Sequence, residues 1–284
     1  MNLSDFVHHC VAFIESQVRS RGFDRVVLGL SGGIDSAVVA YLASKALGYS
    51  SVSALLMPSK NSQKHHLDDA IKLADILKLD SHIIPLAPFQ QDFEAHIDSI
   101  NVTESIESTQ TNQNDKQRKL RVGNFCARMR MTLLYDFAYA SRALVLGTSN
   151  KSELLLGYGT IFGDLACAIN PIGGFYKTQI YEIARILHIP QHIIDKKPSA
   201  DLFENQSDES DLGYTYHEID PLLQAIENLG EHSDITLLNS QLVHLGFDQT
   251  MVESITKRVK ANAFKRSMPL VFQPQTFIKT NLTE

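Results

Sequence analysis

Residues 26–36, VVLGLSGGIDS, constrain this chain more than any other stretch. An apolar strand enters Ser-Gly-Gly-Ile-Asp-Ser and leaves as the helix-like AVVAYLASKAL. Gly32 and Gly33 permit positive φ and present no Cβ, so successive backbone N–H groups can converge on an anion. A helix beginning near Asp35 adds unpaired N-terminal amides and the positive end of its dipole. Ser31 and Ser36 supply hydroxyls, and Asp35 stands where a carboxylate would hold Mg2+ against phosphate oxygens. The loop lacks the Gly-Lys-Ser/Thr ending of the Walker type. The plainer alternative is a strand–turn–helix whose glycines serve only the turn.

Periodicity places this cradle within a larger pattern. Leu3, Phe6, Val7, Cys10, Val11, Ile14 and Val18 recur at helical spacing and predict an opening amphipathic helix. Strands are then expected at 26–30, 52–57, 82–86 and 143–146, with helices at 35–47, 64–77, 89–100 and 122–140. This alternation predicts an α/β fold, a doubly wound parallel sheet with ligands at the carboxyl ends of its strands. Segments 217–229, 235–245 and 248–264 read as three further helices near the C-terminus. The polar, aperiodic stretch 101–119 is expected to be a mobile loop, as is the irregular segment around 200–212.

Bulk properties exclude several function classes. Lys and Arg number 26 against 32 Asp and Glu, a formal charge of −6, with no long basic block. That argues against a nucleic-acid binder that works by neutralising phosphates. Cys10, Cys126 and Cys167 lie far apart with no metal-ligand spacing. Three unpaired thiols fit a reducing cytoplasm. The N-terminus lacks a secretory layout, and no apolar run approaches the roughly 18–20 residues of a membrane span. A cytoplasmic protein with no membrane partner is therefore expected.

Two further segments carry chemistry. Residues 147–153, GTSNKSE, follow the strand expected at 143–146 and so share the carboxyl end of the sheet with the cradle. Thr148 can contact a nucleotide there, and Glu153 is a second oxygen ligand for a metal held by Asp35; its plainer role is a first-turn acid favoured by the helix dipole. Lys177 opens the helix KTQIYEIARIL. A cation at a helix N-terminus is electrostatically misplaced, which favours a bound anion as its reason, and such a lysine near phosphates would stabilise charge developing on a leaving group. Arg128 and Arg130 point to different faces of one helix, so one can reach an anionic ligand while the other makes a structural tie. The eleven histidines form no ligand pattern, and no Ser/His/Asp arrangement suggests a covalent nucleophile.

The loop LSGGIDS resembles the pyrophosphate loop of the N-type ATP pyrophosphatases. Together with GNFCARMRM, GTSNKSELLLGYGT, FGDLA, NPIG, YKTQIYEIA, KKPSADLF and NAFKRSMP, it makes the chain similar to the NAD synthetase family over residues 26–269. The resemblance implies one domain spanning 1–284, with an adenine nucleotide alpha hydrolase-like sheet flanked by helices on both faces, assembled as a homodimer. It implies that ATP adenylates nicotinate adenine dinucleotide (deamido-NAD), after which ammonia displaces AMP to give NAD. By the same resemblance Gly29, Leu30, Ser31, Gly32, Gly33, Ile34, Asp35 and Ser36 would bind ATP, with Thr148, Lys177 and Ser199. Asp35 and Glu153 would hold Mg2+, Asp35 and Lys177 would carry the catalysis, and Arg128 would bind deamido-NAD.

One segment departs from the family pattern. Many ammonia-dependent members carry a Lys directly after the threonine that is Thr160 here, and an Asp a few residues on. This chain has Ile161 and Ala168, and in that respect is similar to the synthetase domain of the glutamine-dependent branch. A length of 284 residues leaves no room for that branch's amidase domain, so ammonia is the expected nitrogen donor; a separate glutaminase docking to the chain is left open. The rival readings are another adenylating amidotransferase, a tRNA-thiolating enzyme on the same loop, or a non-catalytic ATP-sensing module. Acidic charge and the absence of paired cysteines count against thiolation. The metal pair with Lys177 counts against mere sensing.

Overall fold

The computed structural model describes residues 3–99, 111–199, 207–230, 234–267, 269 and 271–272. The chain opens with helix α1 (Leu3–Ser20), whose apolar stripe is buried at Val7, Cys10, Ile14 and Val18. Strand β1 (Arg25–Gly29) leads into α2 (Ile34–Leu47), and β2 (Val52–Leu56) into α3 (Lys64–Leu77). Strand β3 (Asp80–Ile83) is followed by α4 (Ala87–His96), the long α5 (Thr111–Ser141) and β4 (Ala143–Val145). Helices α6 (Lys151–Leu156), α7 (Lys177–Ile186) and α8 (Gln191–Ile194) come next. Four more close the described chain: α9 (Asp208–Leu212), α10 (Tyr216–Leu229), α11 (Ile235–His244) and α12 (Gln249–Asn262).

All strand pairs are parallel, in the order β3-β2-β1-β4, with Val26 opposite both Val52 and Leu144. The sheet therefore grows from β1 first towards β2 and β3, then back to β4 on the other side. The place where the direction reverses, between the carboxyl ends of β1 and β4, is where open α/β sheets bind ligands. Strand alternation supplies two cores. Val26, Leu28, Val52, Ala54 and Leu56 join the core built with α1, α2, α3 and α7. Val27, Leu55 and Met57 face the opposite layer of α4 and α5. A third core, between α6 and α10–α12, is apolar on its own account, so the C-terminal helices expected from the sequence pack as a group.

Several boundaries differ from the sequence reading. The third strand is Asp80–Ile83 rather than 82–86. Its four residues are all exposed, so no buried apolar stripe marked it. Pairing still continues past it, because the Ile84 N–H donates to the Leu56 carbonyl and the Leu86 N–H to that of Pro58. Helix α5 begins at Thr111, so 111–119, expected within a loop, are helical; residues 101–110 lie outside the described residues. The same holds for 200–206, whereas 208–212 form α9, capped by the Ser207 side chain on the Ser210 N–H. Among the described residues, no helix is long and apolar enough to cross a membrane.

Candidate active site

The turn after β1 is built as its glycines require. Gly32 has φ +76, and a Cβ there would lie 2.2 Å from the His66 carbonyl oxygen, so the backbone of α3 packs directly on this turn. Gly33 is the N-cap of α2. The Ser31 N–H donates to the Ser36 hydroxyl, the Gly33 N–H to the Ser31 hydroxyl at 3.2 Å, and the Ser36 hydroxyl to the Gly33 carbonyl at 3.0 Å. These bonds wind residues 31–36 into a closed cradle at the helix N-terminus. Gly29 ends β1, while Leu30 and Ile34 are buried and anchor the cradle in the core beneath.

Asp35 lies in the first turn of α2, where the dipole favours a carboxylate. Across the switch point Asn150 caps α6: its side chain accepts from the Glu153 N–H, and Glu153 returns the bond to the Asn150 N–H. The Asn150 amide also donates to Asp35 Oδ1 at 3.0 Å. One buried side chain thus fixes both acids, one on each side of the crevice. The sequence reading missed Asn150, although Asn followed three residues later by Glu is the pattern of a capping box.

Lys177 completes the group. Its ammonium lies 2.5 Å from Asp35 Oδ2 and 3.4 Å from Glu153 Oε1, and its side chain is only 2% exposed. Two protein anions, Asp35 and Glu153, face the lysine at this helix start. Burial alone would lower its pKa, but Asp35, Glu153 and Asp208 outweigh that and raise it, so the ammonium is held charged. Burial raises the Glu153 pKa, opposed by Lys177 and reinforced by Asp35 and Asp208. Lys177 is placed by its neighbours. Its N–H donates to Ser152 Oγ, which donates to Asp220 Oδ1, and the other Asp220 oxygen accepts the Thr178 N–H. Asp208, buried at the start of α9, accepts from the Tyr216 hydroxyl, and the Tyr216 ring faces the Lys177 ammonium at 5.5 Å.

The remaining candidates surround this centre at different depths. Thr148 is half-buried just beyond β4, and Ser199 is half-buried at the edge of the described chain. Arg128 is exposed on α5, while Arg130 donates to the Met57 carbonyl and is the structural tie of the two. Close to Arg128 on α5, Asn124 accepts from the Thr160 hydroxyl, and the Thr160 N–H donates to Asp164. Ile161 therefore sits half-buried in a loop beside the Arg128 face, whereas Ala168 is exposed and its N–H bonds the Val145 carbonyl next to the sheet. Lys265 donates to the carbonyls of Gly157 and Gly159, tying the C-terminal end of the fold to that loop.

Two carboxylates converging on one ammonium form a donor set that suits Mg2+, which takes one or two carboxylates together with phosphate oxygens. Among the described residues no group of three or more His, Cys, Asp or Glu side chains is placed to hold a metal by itself.

Comparison with known proteins places the chain in a family. A family model for NAD synthase matches residues 6–269. The NH(3)-dependent NAD(+) synthetase of Helicobacter hepaticus is 55% identical over 276 residues, 95% of this chain and 99% of that protein. Among solved structures, the NH3-dependent NAD synthetase from Campylobacter jejuni, in complex with the nitrate ion, is 37% identical with a TM-score of 0.74 over 96% of this chain and 100% of that one. The NMN synthetase from Francisella tularensis is 31% identical, with a TM-score of 0.77 over 96% and 99% of the two chains. With a family model matched over residues 6–269 and a relative 55% identical across nearly the whole chain, the chain belongs to the NAD synthase family.

Proposed function

We propose that this protein amidates nicotinate adenine dinucleotide with ammonia, consuming ATP and releasing AMP and pyrophosphate. The observation that carries this reading is the convergence of Asp35, Glu153 and Lys177 beside the Gly32–Gly33 turn. In the first step a nicotinate carboxylate oxygen bonds to the α-phosphorus of ATP, and the bond from that phosphorus to the bridging oxygen of pyrophosphate breaks. In the second, the nitrogen of ammonia attacks the acyl carbon, AMP leaves with the electron pair of the C–O bond, and nitrogen loses a proton. Neither step needs a protein nucleophile.

The residues divide this work by position. Gly29 to Ser36, Thr148 and Ser199 hold ATP, with the N–H groups of the turn on its phosphates. Lys177 compensates charge on the departing pyrophosphate, and its fixed location means that little reorganisation is needed as that charge grows. Asp35 and Glu153 hold Mg2+, which when bound supplies further charge compensation to the phosphate oxygens. Arg128, exposed beside the Thr160 loop, binds the anionic portion of deamido-NAD. The working form is a homodimer; Tyr139, Tyr135 and Leu120, exposed on α5, support a second copy covering that helix. Light scattering should give twice the chain mass. The cytoplasm is the proposed location, in keeping with three free cysteines.

The test supplies ATP, Mg2+, ammonium and deamido-NAD and follows AMP, pyrophosphate and NAD in equal amounts. A parallel reaction with nicotinate mononucleotide is warranted by the likeness to a protein named for NMN synthesis. Faster turnover of the mononucleotide would reassign the acceptor. AMP formation without an amidated product would overturn the reading.

A further inference from the structure

The Gly32–Gly33 turn settles the orientation of its central peptide on one side only: Ser31 Oγ accepts the Gly33 N–H, while the Gly32 carbonyl is held from outside the turn. Two adjacent glycines give the backbone the freedom that the turn requires, and the same freedom lets the peptide between them rotate. A trans peptide is planar, with its C=O and N–H pointing in opposite directions. In one orientation the Gly33 N–H faces the cradle as a phosphate donor; in the other the Gly32 carbonyl oxygen faces it and repels an anion. Something must choose.

Lys196 is placed to choose. Its ammonium donates to the Gly32 carbonyl at 2.9 Å and to Asp69 Oδ2 at 2.7 Å. Asp69 projects from α3, the helix on which Gly32 packs, and both side chains are largely buried. With the carbonyl drawn to Lys196, the Gly33 N–H must point the opposite way, and it does so towards Ser31 Oγ inside the cradle. The charge of Lys196 is met by Asp69, so its contribution lies in orientation rather than in free positive charge. Lys196 also stands three residues before Ser199, linking the turn to the segment expected to contact ATP.

We propose that Lys196, held by Asp69, is a positioning residue that locks the Gly32–Gly33 peptide with its N–H facing the phosphates. This rests on the reading of the turn as the ATP-binding loop. The substitution Lys196→Met is suited to test it, because Asp69 keeps the Lys72 ammonium at 4.0 Å and His192 Nε2 at 3.5 Å and is not left unpaired.

The experiment measures equilibrium binding of ATP with Mg2+ in the absence of acceptor, then KM for ATP and for deamido-NAD, with a thermal melt of each variant. Lys196→Met should weaken ATP roughly tenfold, the scale of one charge-assisted hydrogen bond, and leave KM for deamido-NAD within about twofold. Lys196→Arg should recover most of the affinity. Asp69→Asn should weaken ATP in the same direction, and the double variant should be no weaker than Lys196→Met, because both break one link. Unchanged ATP affinity in Lys196→Met overturns the proposal, as does tighter ATP binding in Asp69→Asn, which would mean that Lys196 acts on phosphate directly. Should Lys196→Met fail to fold, Lys196→Arg and Asp69→Asn decide by the same criteria. A wild-type protein that binds no ATP overturns the functional reading itself, and this proposal with it.

Discussion

Lys177 is a residue whose local cost makes sense only through its partners. A lysine at the first position of α7 opposes the helix dipole, and a buried ammonium without counter-charge would lose its proton. Asp35 and Glu153 remove both objections. Replacing Lys177 with Ala should slow adenylation more than it weakens deamido-NAD, because its charge matters most as pyrophosphate departs. Single-turnover pyrophosphate release tests this; a change confined to deamido-NAD affinity would misplace the residue. Asp35→Asn should nearly abolish turnover while leaving the far-ultraviolet circular dichroism spectrum intact. It removes one of two facing carboxylates and sets a hydrogen-bond donor against one of two others, the Lys177 ammonium or the Asn150 amide. Near-normal activity at saturating Mg2+ would take Asp35 out of the centre.

At the scale of elements, the crevice is held by helix starts that brace one another. Asp220 of α10 bonds Ser152 of α6 and the Thr178 N–H of α7, so one carboxylate joins three helices beside the site. Asp220→Ala would leave the buried Ser152 hydroxyl without its acceptor and the α7 N-terminus without its anion. A loss of about 2–3 kcal/mol in urea unfolding is expected, together with a fall in activity as Lys177 loosens. Activity loss with unchanged stability would argue that Asp220 acts at the site rather than through packing. Helix α1 offers a separate check. Burial raises the Cys10 thiol from 9.0 to about 11, and its Sγ lies against the Pro171 carbonyl. The folded chain therefore holds this proton more tightly than the unfolded one. The contribution is complete below pH 9 and is lost as pH rises through about 11. Between those values wild type should lose stability faster than Cys10→Ala, and parallel losses would refute the assignment.

For the whole molecule, the question is which nitrogen donor the fold can use. Hydrolysis of glutamine needs an activated nucleophile, usually Cys with a positioned acid or base. Cys10 and Cys126 are buried and Cys167 is half-buried, and burial raises all three thiols. The chain should form NAD from ammonium and none from ammonium-free glutamine. Glutamine-supported turnover comparable to that with ammonium, with no other protein added, would overturn this. Ile161 and Ala168 give the experiment its point, since they resemble the glutamine-dependent branch without supplying an amidase.

Local pattern was enough to identify β1, β2, α2, α3 and the cradle, because apolar periodicity and the Ser-Gly-Gly turn are properties of neighbours in sequence. The cradle residues, Asp35, Glu153 and Lys177 were legible from residue type and from their position at strand or helix ends. What the sequence could not contain is distance. Asp35 and Lys177 are separated by 142 positions and meet because the sheet reverses direction between β1 and β4. The exposed β3 was placed two residues late, at 82–86 rather than Asp80–Ile83, because a strand without a buried face leaves no alternation to read. Asp220 and Lys196 escaped for a related reason: each acts on a partner from a remote segment, and polar pairing leaves no periodic trace; Asn150 left its capping-box pattern, but its bond to Asp35 joins segments 115 positions apart. The sequence by itself determined which chemistry could be assembled. Tertiary structure decided which charges neutralise one another, because Coulombic attraction, desolvation and hydrogen bonding depend on separation in space and burial rather than on order along the chain.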